Sequence, residues 1–536
     1  MTFRQGGRHT GELGAILVLT TTAIVIWLAL QGGFSADFGD DEASHVVSSL
    51  LLLDALHGLF RGTLPQPIEL LREFHGHYPL VGIGHWPPFY YAVLAIWMAL
   101  TAPTRAALLM LSALVTAAVA TRLYAIVARR NGRVAGVFAT GIFLACPLVR
   151  EAAGEVMLDL PVALLCLLAV EAYWRYAVSL RNAFAVLFGV VSAAALLTKG
   201  TAICLALLPP FFVLLAGRWD LLRRASFFLP AVMVGVVALP WYVLTYRLVA
   251  PGFRHAWGAE YSLTAVAENA AILFTAVGPV MLLVAGAALL RCTTTHGRAD
   301  PELAAFGALL AAVLVFQCIV PAAFEPRYLL PAIPPLLILG TDWIAWFFRR
   351  GRRQGVAAGV IAVSFLPLLG ASSAPPRFGM ATAARQVWAN LPVGNRAVLI
   401  AADAGVEAAA VAELALRDPQ RPSLFAIRGS RLLGGGGYNN SDYAPRFNRL
   451  EDVAAAIDRY GIGLVLSQSS DHPKAWEHVS QVARLAVLEA GEWEPVWHGG
   501  TTSDPMTLYR ITPNLTQAAD SARLIALSAP RALASP

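Results

Sequence analysis

The sequence predicts a polytopic α-helical membrane protein of about eleven transmembrane helices with added interfacial helices, followed by a C-terminal extracytoplasmic α/β domain. Three observations predict it. Of 536 residues, 57% are hydrophobic and 14% charged, and mean hydropathy is +0.61, values unlike those of a soluble enzyme. Apolar runs approaching the roughly 20 residues that cross a bilayer recur as far as residue 373. Beyond it, charges disperse and apolar runs shorten to strand length.

The candidate spans are 12–32, 106–128, 134–150, 160–178, 183–198, 201–217, 226–246, 269–290, 302–320, 328–348 and 355–373. The first is long for a signal-peptide core and lacks a small-residue cleavage site after it, so a retained helix is expected. The stretch 86–100 opens on Pro87-Pro88 and is short; laid along the outer interface, it leaves every arginine block cytoplasmic. Those blocks are Arg129-Arg130 with Arg133, Arg175 with Arg181, Arg218 with Arg223-Arg224, Arg291 with Arg298, and Arg349 to Arg353. That is the positive-inside arrangement, and it accounts for the net charge of +6 and pI of 9.2 without nucleic acid. The five cysteines lie in or beside apolar runs without a CxxC pair and read as small buried apolar residues.

The same sidedness sends acids and selected bases outward together: Asp40, Asp41, Glu42, His45, Asp159, Lys199, Arg254, His255 and Arg327, with His75, His77 and His85. Ionisable groups beside hydrocarbon are costly and mark pathways, binding or chemistry. Residues 1–375 form the transmembrane part, with an outer catalytic loop over 33–105. Residues 376–515 form a periplasmic α/β domain, and a poorly ordered tail is expected over 516–536. Strands are expected at 397–402, 423–427 and 463–467, and helices near 405–417, 450–460 and 474–489. Gly434 to Gly437 match no nucleotide-binding pattern and read as a turn.

Five local sequences read together: DDEASHVV from Asp40, HWPPFYYAV from His85, EVMLDLPVAL from Glu155, LLTKGTA from Leu196 and EPRYLLPAIPPLLIL from Glu325. In order and sidedness the set resembles the C superfamily (GT-C) of membrane glycosyltransferases, and within it bacterial relatives of protein O-mannosyltransferases and aminoarabinose transferases. The resemblance covers roughly residues 10–375. It implies a polyprenyl-phosphate (undecaprenyl-type) sugar donor, an extracytoplasmic acceptor that is lipid, glycan or protein, inversion at the anomeric carbon, a bacterial inner membrane, and no cofactor or metal. One departure stands out: Trp86, preceded by His85, occupies the place of the lysine that aminoarabinose transferases carry before Pro-Pro.

Carried over by position, the resemblance implies catalytic roles for Asp41, Glu42 and Asp159, with Asp41 the base, and donor-phosphate binding by Lys199, Arg254 and Arg327. Asp40, His45, His85, Tyr90 and His255 are further candidates for substrate binding. The chemistry asks for these types. A carboxylate takes the acceptor's proton, and cations offset charge growing on the departing phosphate.

Each residue also has a plainer account. Acids at 40–42 cap a helix, Asp159 opens one beside Pro161, Lys199 snorkels from a helix end, and Arg327 pairs with Glu325. Glu171 has Arg175 one turn on, and Asp342 has no partner visible in sequence. His75, His77 and His85 lack a strong zinc spacing. A transporter or lipid flippase is the alternative class, but no internal repeat is evident and the charges gather at one face.

Overall fold

The computed structural model describes residues 3–63, 66–250, 255–294, 300–348, 377–435, 443–469, 476–500, 505–511 and 523–525. The chain divides into two compact units. A helical unit comprises Met1–Leu30, Gly84–Tyr90 and Leu109–Ala374; a mixed unit comprises Gln31–Ile83, Tyr91–Leu108 and Pro375–Pro536.

In the helical unit, α1 (Phe3–Leu30) is followed, after α2 (Asp40–Arg61), α3 (Pro67–His77) and α4 (Phe89–Leu100), by α5 (Arg105–Asn131). Then come α6 (Arg133–Ala145), α7 (Pro147–Ala153), α8 (Asp159–Ser179), α9 (Asn182–Leu196) and α10 (Leu208–Ala216). The series ends with α11 (Ala225–Val249), α12 (Ala259–Cys292), α13 (Pro301–Ile319) and α14 (Ile333–Phe348). Ten of the eleven expected spans fall on these helices; 355–373 lies outside the described residues.

Among the described residues, eight helices are long and apolar enough to cross a membrane, or nine if a bent pair counts as one span. The chain is therefore a multi-pass membrane protein. The bent pair is α6 with α7, turned by 66° where Pro147 opens the second helix; proline has no N–H to continue the first. Two expected spans, α9 and the segment Gly200–Ala216, are shorter apolar helices. The second starts as a 3-10 turn over Gly200–Leu207 and becomes α-helical at Leu208, with prolines in its first turn. The long α12 breaks at Gly278, whose φ of 78° suits a residue without Cβ, just ahead of Pro279. Tyr173 of α8 meets Phe188 of α9 and Phe212 of α10 edge-on, which closes the packing of those helices.

Two sequence puzzles resolve here. Glu171 pairs with Arg175 at 3.2 Å, as its spacing suggests, and also with Arg122. Asp342 accepts from Arg130 at 3.1 Å and lies 3.8 Å from Arg291. Both of its partners come from other helices.

The mixed unit holds a five-stranded sheet of order β2-β1-β5-β7-β6. Its strands are β1 (Ala397–Ala401), β2 (Phe425–Arg428), β5 (Leu464–Gln468), β6 (Trp493–Gly500) and β7 (Pro505–Ile511); β3 (Gly434–Gly435) and β4 (Ala444–Pro445) form a separate short ladder. β2, β1 and β5 are parallel and wholly buried, which is why they read as short continuous apolar runs. The helices are α15 (Met380–Asn390), α16 (Ala404–Arg417), α17 (Gly429–Leu432), α18 (Leu450–Arg459) and α19 (Glu477–Leu488). Ile525 packs against the α/β core and Leu524 is buried in it, so the Ala- and Ser-rich tail contributes to packing at these positions.

α2 is apolar and long enough to cross a membrane, yet it packs along α16 within the mixed unit. It buries Val46, Val47, Leu50 and Leu51. α16 in turn is buried from Val406 to Ala415; a helix apolar all round needs cover on more than one side, and its small alanines let α2 and the sheet approach closely. Arg421 clamps Asp54 of α2 with two bonds of 2.9 and 3.0 Å. Tyr78 donates to Asp418 at 2.6 Å, and His77 stacks on Phe425.

Candidate active site

In the helical unit the site grows from the start of α8. Asp159 does not cap that helix; Leu158 holds the capping position without a side-chain bond. Its carboxylate instead accepts from Lys199 Nζ at 2.6 Å, with both side chains buried. Lys199 is set by the turn that ends α9: its backbone N–H donates to Ala195 and the extended residue starts the 3-10 segment. The ammonium lies 4.5 Å from the centre of the Tyr328 ring, an attractive cation–π geometry.

Tyr328 comes from a 3-10 turn over Pro326–Ala332, and Arg327 lies 5.9 Å from the same ring. Arg327 and Glu325 stand 4.0 Å apart, both partly exposed, at the outer limit of an ion pair. The snorkelling account of Lys199 and the capping account of Asp159 thus give way to one buried pair. Asp159 Oδ2 is buried and has no hydrogen-bond partner among the described residues. A buried charge-bearing oxygen left unpaired is costly and marks a place where a ligand hydroxyl or amine would be received.

The remaining candidates of this unit are dispersed. Arg254 lies outside the described residues. His255 is exposed and its ring neighbours Tyr261 and Phe324. Tyr90 is buried near the start of α4, whose Phe89 N–H donates to Leu197 O beside the lysine turn. His85 stands near Trp86 on the preceding loop, where burial lowers its pKa.

In the mixed unit the acidic run opens α2. Glu42 is the buried member. Its Oε2 accepts from Gly39 N at 3.0 Å and its Oε1 from Arg105 Nη1 at 2.9 Å. Arg105 also donates to Gly33 O and lies over the Phe38 ring. Both oxygens of Glu42 are therefore engaged in fixing the 33–39 loop, a capping arrangement extended by a salt bridge.

Asp40 is exposed on one side, yet the chain around it desolvates the carboxyl and raises its pKa. Arg428 opposes that rise, while Asp41, Glu407 and Asp403 add to it. Asp41 is half-buried beside it. His45 is buried, with Nδ1 2.9 Å from the Tyr91 hydroxyl. Among the described residues no three His, Cys, Asp or Glu side chains gather closely enough to hold a metal ion.

Sequence reasoning missed Tyr328, Arg105, Glu407 and Arg428. Tyr328 and Arg105 left a trace: the first adjoins Arg327, and the second is an arginine expected on the translocated side, against the positive-inside bias. Glu407 and Arg428 left none, since their partners are scattered through the α/β sequence.

Against known proteins, a family model described as dolichyl-phosphate-mannose-protein mannosyltransferase matches residues 85–244, a stretch that holds His85, Tyr90, Asp159 and Lys199. ArnT from Cupriavidus metallidurans, solved in the apo state and bound to undecaprenyl phosphate, is 16% identical with a TM-score of 0.57; the match covers 94% of this chain and 98% of that one. The apo oligosaccharyltransferase of Archaeoglobus fulgidus is 12% identical with a TM-score of 0.56, covering 95% and 75%. AglB from the same organism, in complex with an inhibitory peptide and a dolichol-phosphate, gives 13%, 0.51, 93% and 74%. No curated protein matches the chain in sequence. The fold is that of the GT-C membrane glycosyltransferases.

Proposed function

We propose that the protein transfers a sugar, hexose or pentose, from a polyprenyl-phosphate donor to an extracytoplasmic acceptor, with inversion, at the periplasmic face of a bacterial inner membrane. The observation that carries this is the buried Lys199–Asp159 pair beside Tyr328, within a GT-C fold. That ArnT has been solved with undecaprenyl phosphate supports the donor class.

Asp41 accepts the proton of the acceptor hydroxyl or amine. The acceptor atom bonds to the anomeric carbon opposite the phosphate, and the carbon–oxygen bond to phosphate breaks with its electron pair on the phosphate oxygen. Lys199, with Arg327 and Arg254, offsets that charge. Asp159 holds Lys199 through one oxygen and receives a sugar hydroxyl at the other. Glu42, both oxygens engaged, orders the loop before α2 rather than exchanging protons.

The test is release of free polyprenyl phosphate from a panel of polyprenyl-phosphate sugars by the protein in lipid, with cell-envelope extract as acceptor. Wild type should release it, and folded Asp41→Asn should not. Release by both overturns Asp41 as base, and release by neither with any donor overturns the transferase reading.

A further inference from the structure

A helix leaves its first N–H groups without intrahelical partners, and a capping side chain ordinarily meets one of them. α15 starts after Gly379, which has no side chain to offer. A larger residue does not fit there: Gly379 has a φ of 133°, and a Cβ on it would come within 3.1 Å of Gly500 Cα at the end of β6. The cap comes instead from 343 positions away, where Met380 N–H donates to Asp37 Oδ1 at 2.9 Å. Asp37 N–H in turn donates to Arg377 O at 2.8 Å. Asp37 thus holds the start of α15 with side chain and backbone together. Beside it the chains come as close again, since a Cβ on Gly32 would lie 3.1 Å from the Phe378 ring.

Only Phe38 and Gly39 separate Asp37 from the acidic turn that opens α2. On the far flank of that turn Glu42 is held by Gly39 N–H and by Arg105, which also donates to Gly33 O. Ala43 N–H closes the first turn onto Gly39 O at 2.8 Å. The backbone carrying Asp40 and Asp41 therefore runs between two tethers. The one at Asp37 is anchored on α15, itself packed on α16 and on strands β6 and β7.

We propose that Asp37 is a positioning residue for Asp41: by capping α15 with its carboxylate and bonding Arg377 O through its N–H, it fixes the path of the chain into the first turn of α2. This rests on Asp41 being the reaction's base. A shift of about 1 Å in a reacting group, caused from a distance, is enough to lower a rate about 100-fold, and the first turn of α2 follows Asp37 too closely to keep its place once that tether is cut.

The experiment compares wild type, Asp37→Ala, Asp37→Asn, Tyr78→Phe and Asp41→Asn in lipid. It follows kcat for polyprenyl-phosphate release, donor binding, thermal unfolding and amide hydrogen exchange over residues 39–43. Expected for Asp37→Ala is a fall in kcat of about 10- to 100-fold at wild-type donor binding, with exchange over 39–43 about 10-fold faster or more. Asp37→Asn keeps an oxygen that accepts from Met380 N–H and should recover most of the rate and the slow exchange. Tyr78→Phe removes a hydrogen bond to Asp418 elsewhere in the same unit, so it should lower thermal stability while leaving kcat and that exchange unchanged.

Wild-type kcat or wild-type exchange in Asp37→Ala, with Asp41→Asn inactive, overturns the positioning role alone. So does a loss of kcat in Tyr78→Phe as deep as in Asp37→Ala, or an Asp37→Asn as slow as Asp37→Ala. Activity in folded Asp41→Asn overturns the underlying assignment of the base, a result that does not depend on the exchange of the Asp37 variants. Should Asp37→Ala fail to fold, Asp37→Glu decides, because it keeps charge and acceptor but carries them one methylene, about 1.5 Å, further out. Reduced kcat at wild-type donor binding in Asp37→Glu supports the proposal, and wild-type kcat and exchange overturn it.

Discussion

Two buried carboxylates, one in each unit, share a partner type and differ in one respect. Asp159 in the helical unit and Glu407 in the mixed unit are each paired with a cation. Every oxygen of Glu407 meets a protein donor or cation, whereas Asp159 Oδ2 meets none among the described residues. A completed network rigidifies what surrounds it. An incomplete one is tolerated where something else arrives to complete it. On the proposed function the difference separates scaffold from site, although burial and charge alone would rank the two alike.

Lys199→Ala should have the largest effect. It removes the proposed phosphate cation and strands a buried carboxylate, so release of polyprenyl phosphate should fall at least ~100-fold and stability by about 3–5 kcal/mol. Thermal unfolding in lipid and the release assay check both. Wild-type turnover would remove Asp159–Lys199 from the site and leave it a structural pair like its counterpart.

Asp159→Asn comes next. It keeps shape and a hydrogen-bond acceptor, so kcat should fall roughly 10- to 100-fold while Glu407→Gln, made in parallel, affects stability first. Equal losses of turnover at equal stability in the two variants would erase the distinction between them.

Acid adds a sign to the comparison. Burial alone would raise Glu407, but His478, Arg428 and Ser430 hold it below its ordinary value of 4.5. Its contribution is complete above that value and lost as pH falls through the lower folded value. Wild type should therefore lose stability on acidification below about 4.5, and Glu407→Gln should show a shallower slope in a pH series of thermal unfolding.

The smallest effect belongs to Asp342→Asn. Its partners Arg130 and Arg291 keep other carboxylates or an aromatic ring nearby, so stability should drop by about 1 kcal/mol with polyprenyl-phosphate release unchanged.

The sequence exposed what local pattern controls. The three parallel strands and helices α16, α18 and α19 were legible because buried strands read as apolar runs and the helices as periodic ones. β6 and β7 were not: β6 carries Pro495 and alternates exposed residues at the sheet's edge. α2 was not among the expected spans, although it is apolar and long enough to be one; its packing on α16 is what the sequence did not report. At the site, Asp159 and Lys199 were each legible from their motifs. Their pairing, across 40 positions, was not, since nothing in spacing reports which helices meet. Glu42 is the opposite case. Its motif marks it for chemistry, and the side chain is occupied with Gly39 and Arg105.

The mixed unit takes its residues from both ends of the chain, with α2 and α3 before the main run of spans and α16 after it. During synthesis α2 must therefore wait, its apolar face without a partner, while more than 300 residues are made. At the elongation rates of cells that is an interval of tens of seconds. Over that time the membrane surface or a chaperone has to shelter a helix apolar enough to insert by mistake. The same dependency forbids a simple excision. A fragment starting at residue 377 would carry α16 with a bared alanine and valine face, and should aggregate unless residues 31–61 are supplied alongside it.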